Sequence, residues 1–213
     1  MNVKKRNEFE KALEVVLGDE NLAKIQQVSV GIAGAGGLGS NCAVNLVRSG
    51  FVKLMIADFD AIEYSNLNRQ FYCYNQVGQS KAETLKNNLL GINPDLELTV
   101  WRQRVEAGNV RNLFEKCHII VEAFDQAKYK KMIVEQYVNT EKFIVSASGI
   151  AGWADSDDIK IHKVKDNLYI VGDLVSEAGK GLPPCAPRVS IAAAKQANLI
   201  FQHVLANPLM PDL

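Results

Sequence analysis

The stretch Val28-Ser-Val-Gly-Ile-Ala33, continued by Gly34-Ala-Gly-Gly-Leu-Gly39, decides the fold of this chain. Its first half is a mostly apolar run typical of a buried strand, and its second half supplies the glycines of a tight turn. A helix is predicted over residues 41–48, and a second apolar run, residues 52–57, ends at Asp58. This spacing predicts a βαβ unit with two parallel strands that are covered on both faces.

The alternation of strands and helices continues along the chain. We expect an amphipathic helix over residues 8–26 and a last long helix over residues 188–205, just after Pro187. Between them, helices are predicted at 80–90, 109–116 and 127–138, and strands at 97–101, 118–122 and 143–146. Repeated βα units predict an α/β fold with a doubly wound, mostly parallel sheet of the Rossmann-like type.

Composition indicates an ordinary globular protein. The chain is 47% hydrophobic and 23% charged, with a formal net charge of zero, so no global basic field attracts nucleic acid or an anionic membrane. The uncharged stretch 25–47 is long enough to cross a bilayer, but its glycines, serines and asparagines favour a strand, a turn and a helix. Four scattered cysteines without a C-x-x-C pair argue against a zinc site and a disulfide framework, and we expect a cytoplasmic protein.

The glycine turn gives the first functional signal. Gly34, Gly36 and Gly39 fit G-x-G-x-x-G between a strand and a helix, where the backbone can approach a phosphate and the helix N-terminus offers unpaired N–H groups. Asp58, at the end of the second strand, can accept hydrogen bonds from ribose hydroxyls. The alternative is a turn that only packs the helix on the strand. Taken by itself, the pattern favours a dinucleotide.

The polar loop that follows Asp58 favours a triphosphate instead. It places three amides around one arginine: Asn66, Asn68, Arg69 and Gln70. Arg69 can make two charge-assisted hydrogen bonds to phosphate oxygens, and Lys81 adds a compact cation at the start of the next helix. Either charge alone is more often a solvated surface group. Their position at the C-terminal edge of a parallel sheet, where ligands of this fold bind, favours phosphate binding.

Together these stretches resemble the ThiF/MoeB/HesA family, the bacterial relatives of ubiquitin-activating enzymes, and most of all its short, zinc-free ThiF branch. The resemblance runs from about residue 28 to residue 148. The matching segments are Gly34-Ala-Gly-Gly-Leu-Gly39, Asp58-Phe-Asp60, Ser65-Asn-Leu-Asn-Arg-Gln70, Val77-Gly-Gln-Ser-Lys81, Ile92-Asn-Pro94 and Asp125.

The resemblance implies an adenylyltransferase that uses ATP and magnesium. The implied nucleotide-binding residues are Gly34, Gly36, Gly37, Gly39, Asp58, Asn66, Arg69, Gln70 and Lys81. Arg69, Lys81 and Asp125 would be catalytic, with Asp125 near the magnesium ion. An N-cap for the next helix is the alternative role of Asp125. Attack of a carboxylate on the α-phosphate brings two anions together, so cations and positioning are the needed catalysts, and an ionised carboxylate needs no general base.

The substrate implied first is the C-terminal glycine of a small ubiquitin-like sulfur carrier with a Gly-Gly tail, which would form an acyl-adenylate and pyrophosphate. The short form favours ThiS, the carrier of thiamine thiazole biosynthesis, and the family implies a homodimer. One alternative is activation of a carboxylate on a tRNA nucleoside, as in tRNA threonylcarbamoyladenosine dehydratases, against which the neutral charge argues. An NAD-dependent oxidoreductase is the alternative from another class. A non-catalytic partner subunit is disfavoured because the expected charged positions are filled.

A single domain over residues 1–213 is expected, with an N-terminal helix (1–27), a nucleotide-binding core (28–147) and a last part (148–213) that holds a tail-covering segment and the final helix. Glycines and prolines interrupt the pattern from 147 to 187, with possible short strands at 159–164 and 168–171. We expect this irregular, partly β extension to lie over the site.

Two residues outside the core are weaker candidates. Arg6 lies where family members carry an arginine that reaches the partner subunit's ATP, but the surrounding family string is absent, and an exposed charge is the alternative. Cys185, in a proline-rich loop before a helix, is a candidate for sulfur transfer, because a helix N-terminus can lower a thiol pKa. A small packing residue is its alternative role.

Overall fold

The computed structural model describes residues 6–179 and 181–207. Its strands are β1 (Ser29–Ala33), β2 (Lys53–Ala57), β3 (Glu97–Trp101), β4 (Ile119–Glu122), β5 (Phe143–Ala147), β6 (Lys160–Lys165) and β7 (Leu168–Gly172). Its α-helices are α1 (Glu8–Leu17), α2 (Asp19–Gln27), α3 (Gly37–Arg48), α4 (Lys81–Leu90), α5 (Val110–Leu113), α6 (Ala127–Tyr137) and α7 (Ala186–Ala206). Short 3-10 turns lie at Tyr64–Asn66, Tyr74–Gln76 and Ser156–Asp158.

Within the described residues the strands form one sheet in the order β3-β2-β1-β4-β5-β7-β6. Every neighbouring pair is parallel except β6 and β7, which form an antiparallel hairpin at one edge. The chain builds outward from β1 to β3 and then returns to the other side of β1 with β4. The strand order therefore reverses between β1 and β4, which is the point where ligands bind in this architecture. The predicted doubly wound, mostly parallel fold is confirmed.

Helices cover both faces of the sheet. On one face, side chains of β1, β2 and β4 pack with α3, α4 and α7 in a cluster that includes Ile32, Leu46 and Ile200. On the other face, Ile120 packs with Ile133 of α6 and with residues of α5. Neighbouring residues of β4 alternate between the two clusters, as the pleat of a strand requires.

The N-terminal region differs from the single helix predicted over residues 8–26. The chain turns at Gly18, which separates α1 from α2. Arg6 spans this break, because its guanidinium lies 2.8 Å from the carboxylate of Glu14 in α1 and 2.6 Å from that of Asp19 in α2. Gly18 ends α1 because its φ of +80° lies outside the helical region, and the same residue is the N-cap of α2.

Two other helices have different bounds from those predicted. Helix α3 begins at Gly37, four residues before the predicted start, because two glycines of the turn already belong to its first turn. Helix α5 is a single turn, Val110–Leu113, where residues 109–116 were predicted. No helix among the described residues is long and apolar enough to cross a membrane, and the uncharged stretch 25–47 folds mainly as β1 and α3.

The segment 148–187 is more ordered than its glycines and prolines indicate. The two short predicted strands are present as β6 and β7, and β7 extends the central sheet alongside β5. Arg188, 2% exposed, anchors the loops around them, since its guanidinium binds the Asp173 carboxylate and the Asp155 carbonyl. The loop before α7 reaches the C-terminal edge of the sheet at Pro184, whose carbonyl accepts a hydrogen bond from Asn68.

Candidate functional site

The glycine turn lies directly at the C-terminal end of β1. Gly34 has φ +102°, a left-handed conformation that favours glycine. A Cβ at Gly39 would lie 1.8 Å from the carbonyl oxygen of Gly34. Glycine at position 39 therefore lets the first turn of α3 rest on the turn, with its free N–H groups at the sheet edge.

Gly36 and Gly37 line the space in front of this helix end. A Cβ at Gly36 would meet nothing closer than the side-chain nitrogen of Gln70, at 3.7 Å. A Cβ at Gly37 would lie 2.9 Å from Val189 of α7 and 3.4 Å from Cγ of Arg69. The turn is thus open above Gly36 and covered beside Gly37.

Asp58 joins the glycine turn to the loop after β2. Its Oδ2 accepts a hydrogen bond of 2.7 Å from the Ala35 N–H, and its Oδ1 accepts one of 2.8 Å from the Asp60 N–H. The side chain is 9% exposed, and this burial raises its pKa above the ordinary value of 3.8, against the lowering effect of the two hydrogen bonds. Each carboxylate oxygen keeps a further lone pair for a ribose hydroxyl.

Lys81 is the buried cation of the site. It is 7% exposed, and its Nζ lies 3.0 Å from Oδ2 of Asp60. Its backbone N–H donates to the Asp60 carbonyl, also at 3.0 Å. A buried ammonium that is only partly neutralised by a half-exposed carboxylate is suited to attract an anion.

The loop of residues 65–70 is fixed by its own side chains. Nη1 of Arg69 donates to the Ser65 carbonyl at 3.1 Å and to Oδ1 of Asn68 at 2.7 Å. Asn66 is buried, and its Oδ1 accepts a hydrogen bond of 3.1 Å from the Glu63 N–H. Part of the hydrogen-bonding capacity of Asn66 is therefore used to cap a 3-10 turn. The structure places Gln70 beside the open space at Gly36 and the stem of Arg69 against Gly37, and it gives Asn66 mainly a local role.

Sequence reasoning missed the residues that hold this loop in place. Nδ2 of Asn41, in α3, donates to the carbonyls of Gly37 at 2.7 Å and Arg69 at 2.9 Å. Nδ2 of Asn68 donates to the Pro184 carbonyl at 3.3 Å. The sequence places Asn41 one turn into α3, but it does not show that the partner of its side chain is the carbonyl of Arg69, 28 positions later.

A tyrosine that the motifs did not single out also lies in the site. Tyr72 is 8% exposed, and its hydroxyl donates to the Ala35 carbonyl at 2.8 Å and lies 3.2 Å from the Lys81 carbonyl. No periodicity or motif in the sequence marks this hydroxyl. Its contacts are visible only once the glycine turn and α4 are brought together.

Asp125 lies on the exposed loop after β4. The N-cap of α6 is Gln126, so the alternative N-cap role of Asp125 is not seen. The loop is positioned by Glu122, which is fully buried and accepts hydrogen bonds from the Phe124 N–H at 2.7 Å and the Ser146 hydroxyl at 2.5 Å. Glu122 also forms an ion pair with Lys130 at 3.1 Å, a pairing that sequence reasoning missed.

The residues present fit the triphosphate nucleotide that the resemblance implies. Gln70 is 9% exposed, and its Oε1 has no hydrogen-bond partner within the described part of the chain. An unsatisfied buried amide beside the open space at Gly36 is suited to bind a polar ligand. Among the described residues no cluster of three or more metal-ligating side chains occurs. One carboxylate, such as Asp125, together with phosphate oxygens is the usual manner of binding Mg²⁺.

The two weaker candidates have local partners. Arg6 is held within its own chain by Glu14 and Asp19, as described above. Cys185 is the N-cap residue of α7, and its Sγ lies 3.5 Å from the Pro183 carbonyl. It is partly exposed and next to Pro184, whose carbonyl contacts the site loop.

Comparison with known proteins agrees with this geometry. The model of the ThiF family matches residues 10–186, which is most of the chain. The chain belongs to the ThiF family.

Other ThiF-type and related proteins match over shorter stretches. The chain is 32% identical to ubiquitin-like modifier-activating enzyme 5 of Caenorhabditis briggsae over 148 residues, 64% of this chain and 34% of that protein. It is 27% identical to the tRNA threonylcarbamoyladenosine dehydratase of Bacillus subtilis over 150 residues, 70% of this chain and 59% of that protein. It spans about a third of the length of the first of these relatives.

A solved structure matches over almost its whole length. The crystal structure of E. coli tRNA N6-threonylcarbamoyladenosine dehydratase in complex with ATP superposes with a TM-score of 0.84, covering 92% of this chain and 93% of that one. The sequence identity is 18%, so this similarity establishes the shared ThiF-type fold.

Proposed function

We propose that the protein binds ATP and transfers its AMP group to a carboxylate. The observation that carries this proposal is the convergence of an open glycine turn, the unsatisfied amide of Gln70 and the cations Arg69 and Lys81 at one sheet edge. A carboxylate oxygen attacks the α-phosphorus, the bond to the β-phosphate oxygen breaks, and an acyl-adenylate and pyrophosphate form.

Each group of the site has a part in this reaction. The Asp58 carboxylate accepts the ribose hydroxyls, and the first turn of α3 faces the phosphates with its N–H groups. Arg69 and Lys81 lower the repulsion between the two reacting anions. Asp125 would hold magnesium, which would supply further positive charge at the phosphates.

We infer that the carboxylate is the C-terminal glycine of a small ubiquitin-like carrier. Ubiquitin-like modifier-activating enzyme 5, a SUMO-activating enzyme subunit of Dictyostelium discoideum and a probable molybdopterin-synthase adenylyltransferase of Porphyra purpurea are all similar in sequence, which supports this substrate class. None of these names points to thiamine synthesis, and ThiS as the carrier remains a prediction.

A second candidate is a carboxylate on a tRNA nucleoside. The near-complete structural match to the E. coli tRNA-modifying dehydratase, at a TM-score of 0.84, favours it. The zero net charge of the chain argues against a tRNA partner, because phosphate contacts require a basic surface.

Exchange of labelled pyrophosphate into ATP tests the reaction and its substrate together. We expect exchange only when a carboxylate substrate is added, and the two arms are a panel of Gly-Gly-tailed carriers and threonylcarbamoylated tRNA. Arg69→Ala should lower exchange by about 10- to 100-fold, because it removes charge-assisted hydrogen bonds to phosphate. Arg48→Ala is the matched control, since Arg48 is exposed at the far end of α3.

Calorimetry with ATP and with NAD is the simpler companion experiment. We expect ATP to bind and NAD not to bind. Tight NAD binding without ATP binding would overturn the proposed reaction in favour of hydride transfer. Absence of exchange with every carrier, but exchange with the modified tRNA, would move the assignment to the second candidate.

A further inference from the structure

A closed ring of hydrogen bonds connects the three loops of the nucleotide site. The Ala35 N–H binds Oδ2 of Asp58, whose Oδ1 binds the Asp60 N–H, at 2.7 Å and 2.8 Å. The Asp60 carbonyl accepts the Lys81 N–H at 3.0 Å. The Tyr72 hydroxyl then lies between the Lys81 carbonyl and the Ala35 carbonyl, which returns the ring to its starting residue.

Tyr72 is the link that closes this ring. Its single hydroxyl hydrogen is shared between two carbonyl oxygens, with the shorter distance, 2.8 Å, to Ala35. Tyr72 is 8% exposed. Burial and the charge of Asp58 raise the pKa of the Tyr72 hydroxyl, so this hydroxyl remains a hydrogen-bond donor across the physiological pH range. Both N–H and carbonyl of Ala35, the residue inside the glycine turn, are therefore held.

The ring couples the two elements that face the phosphates. Ala35 sets the orientation of the peptide groups that lead into Gly36, and Lys81 is the buried cation at the start of α4. Apart from this ring, Lys81 is tied to the site by its Nζ contact with Asp60. The Tyr72 hydroxyl joins the backbone of Lys81 directly to that of the glycine turn.

We propose that Tyr72 is a positioning residue that sets the glycine turn and Lys81 at the spacing required by the phosphates of ATP. This inference rests on the proposed ATP site. It predicts that the hydroxyl affects recognition of the phosphate groups and leaves recognition of the nucleoside to Asp58.

A series of nucleotides separates these contributions. We would measure binding of adenosine, AMP and ATP to the wild-type protein and to Tyr72→Phe by calorimetry. ATP should bind about three- to tenfold more weakly to the variant, the size expected for one lost hydrogen bond. Adenosine affinity should be unchanged, and Tyr74→Phe, which removes a hydroxyl from a tyrosine that is 74% exposed, should change neither.

Hydrogen exchange of the ligand-free wild-type protein tests the ring without a variant. The Ala35 and Lys81 amides should exchange much more slowly than amides of exposed loops, and Tyr72→Phe should accelerate both.

Rapid exchange of these amides in the wild type, or equal ATP affinity of the wild type and Tyr72→Phe, overturns the inference. Equal weakening of adenosine and ATP also overturns it, because it indicates a general loss of structure. If the wild type binds no ATP, the proposed function itself fails.

Discussion

The two sides of the sheet edge are stabilised in different ways. On the nucleotide side, residues 34–81, several short hydrogen bonds join backbone groups to Asp58, Tyr72 and Asn41. On the C-terminal side, residues 148–188, backbone hydrogen bonds such as that from the Asp173 N–H to the Gly149 carbonyl are joined by the buried side chain of Arg188, which links two loops. The first arrangement joins its loops through several neutral and carboxylate hydrogen bonds, and the second adds an ion pair with a buried arginine to its backbone hydrogen bonds.

This difference has consequences for substitution. A change in a distributed network removes one contact of several, unless it introduces a steric clash. A change at Arg188 releases Asp173 and the Asp155 carbonyl together and leaves a partly buried carboxylate without its cation. The following experiments compare the two sides.

The largest expected effect is a steric clash on the nucleotide side. Gly39→Ala places a Cβ 1.8 Å from the Gly34 carbonyl, a backbone atom that cannot move without displacing β1 or α3. We expect no soluble folded protein. Gly36→Ala is the matched control, because its Cβ would meet nothing closer than 3.7 Å. It should fold normally and bind ATP at least tenfold more weakly, and a stable Gly39→Ala protein would contradict the packing described.

The next effect tests the C-terminal side. Arg188→Ala should lower the free energy of unfolding by about 3 kcal/mol, because it removes the buried member of an ion pair whose other member, Asp173, is partly buried. Chemical denaturation is the measurement. Lys131→Ala is the control, since its ion pair with Glu135 is exposed and should contribute no more than about 0.5 kcal/mol. A loss for Arg188→Ala as small as that of the control would show that the loops are held by other contacts.

The smallest expected effect concerns the pH dependence of stability, to which Asp58 and Asp173 contribute in opposite directions. Burial raises the pKa of Asp58. Burial also acts to raise the pKa of Asp173, but hydrogen bonds from Ser176 and Val175 and the charge of Arg188 outweigh it, and its pKa lies below 3.8. Asp58 therefore makes the native state less stable as pH rises from 3.8 through its raised pKa. Asp173 contributes stability that is present above 3.8 and is lost as pH falls through its lowered pKa.

Carbon-13 NMR titration of the two carboxyl groups measures this difference directly. The midpoint of Asp58 should lie above 3.8 and that of Asp173 below it. Denaturation of Asp58→Asn and Asp173→Asn across the acidic range should show that the two substitutions alter the pH dependence of stability in opposite directions. Midpoints on the same side of 3.8 would show that the two environments do not differ as described.

The sequence predicts the backbone of residues 34–81 well because its signals are local. The turn of Gly34, Gly36 and Gly39, the strand that ends at Asp58 and the loop around Arg69 lie within fifty residues of one another and follow the order of a βαβ unit. The residue types in these segments indicate a turn, a strand end and a loop at the places where the structure has them. The break at Gly18 was missed, although the run Gly18-Asp-Glu-Asn21 holds no apolar side chain.

The remaining structure depends on partners that are distant in sequence. Arg188 finds Asp173 and Asp155, and Tyr72 finds Ala35, only after the sheet has formed. A lone arginine after a proline and a lone tyrosine after a motif have no pattern that identifies them. The sequence also gives no sign of the role of Glu122. A single acidic residue at a strand end predicts an exposed side chain, whereas Glu122 is fully buried against Ser146 and Lys130.

The extensive contact between α3 and α7 has a consequence for the way the chain is made. Helix α3 ends at Arg48, whereas α7 begins at Ala186, so synthesis of the residues between them takes roughly 7 to 28 s at ordinary rates of translation. During that interval the face of α3 that α7 will cover is bare on the ribosome. Until α7 has been made, the nascent chain displays this apolar helix surface, which a chaperone or an aggregating neighbour can contact.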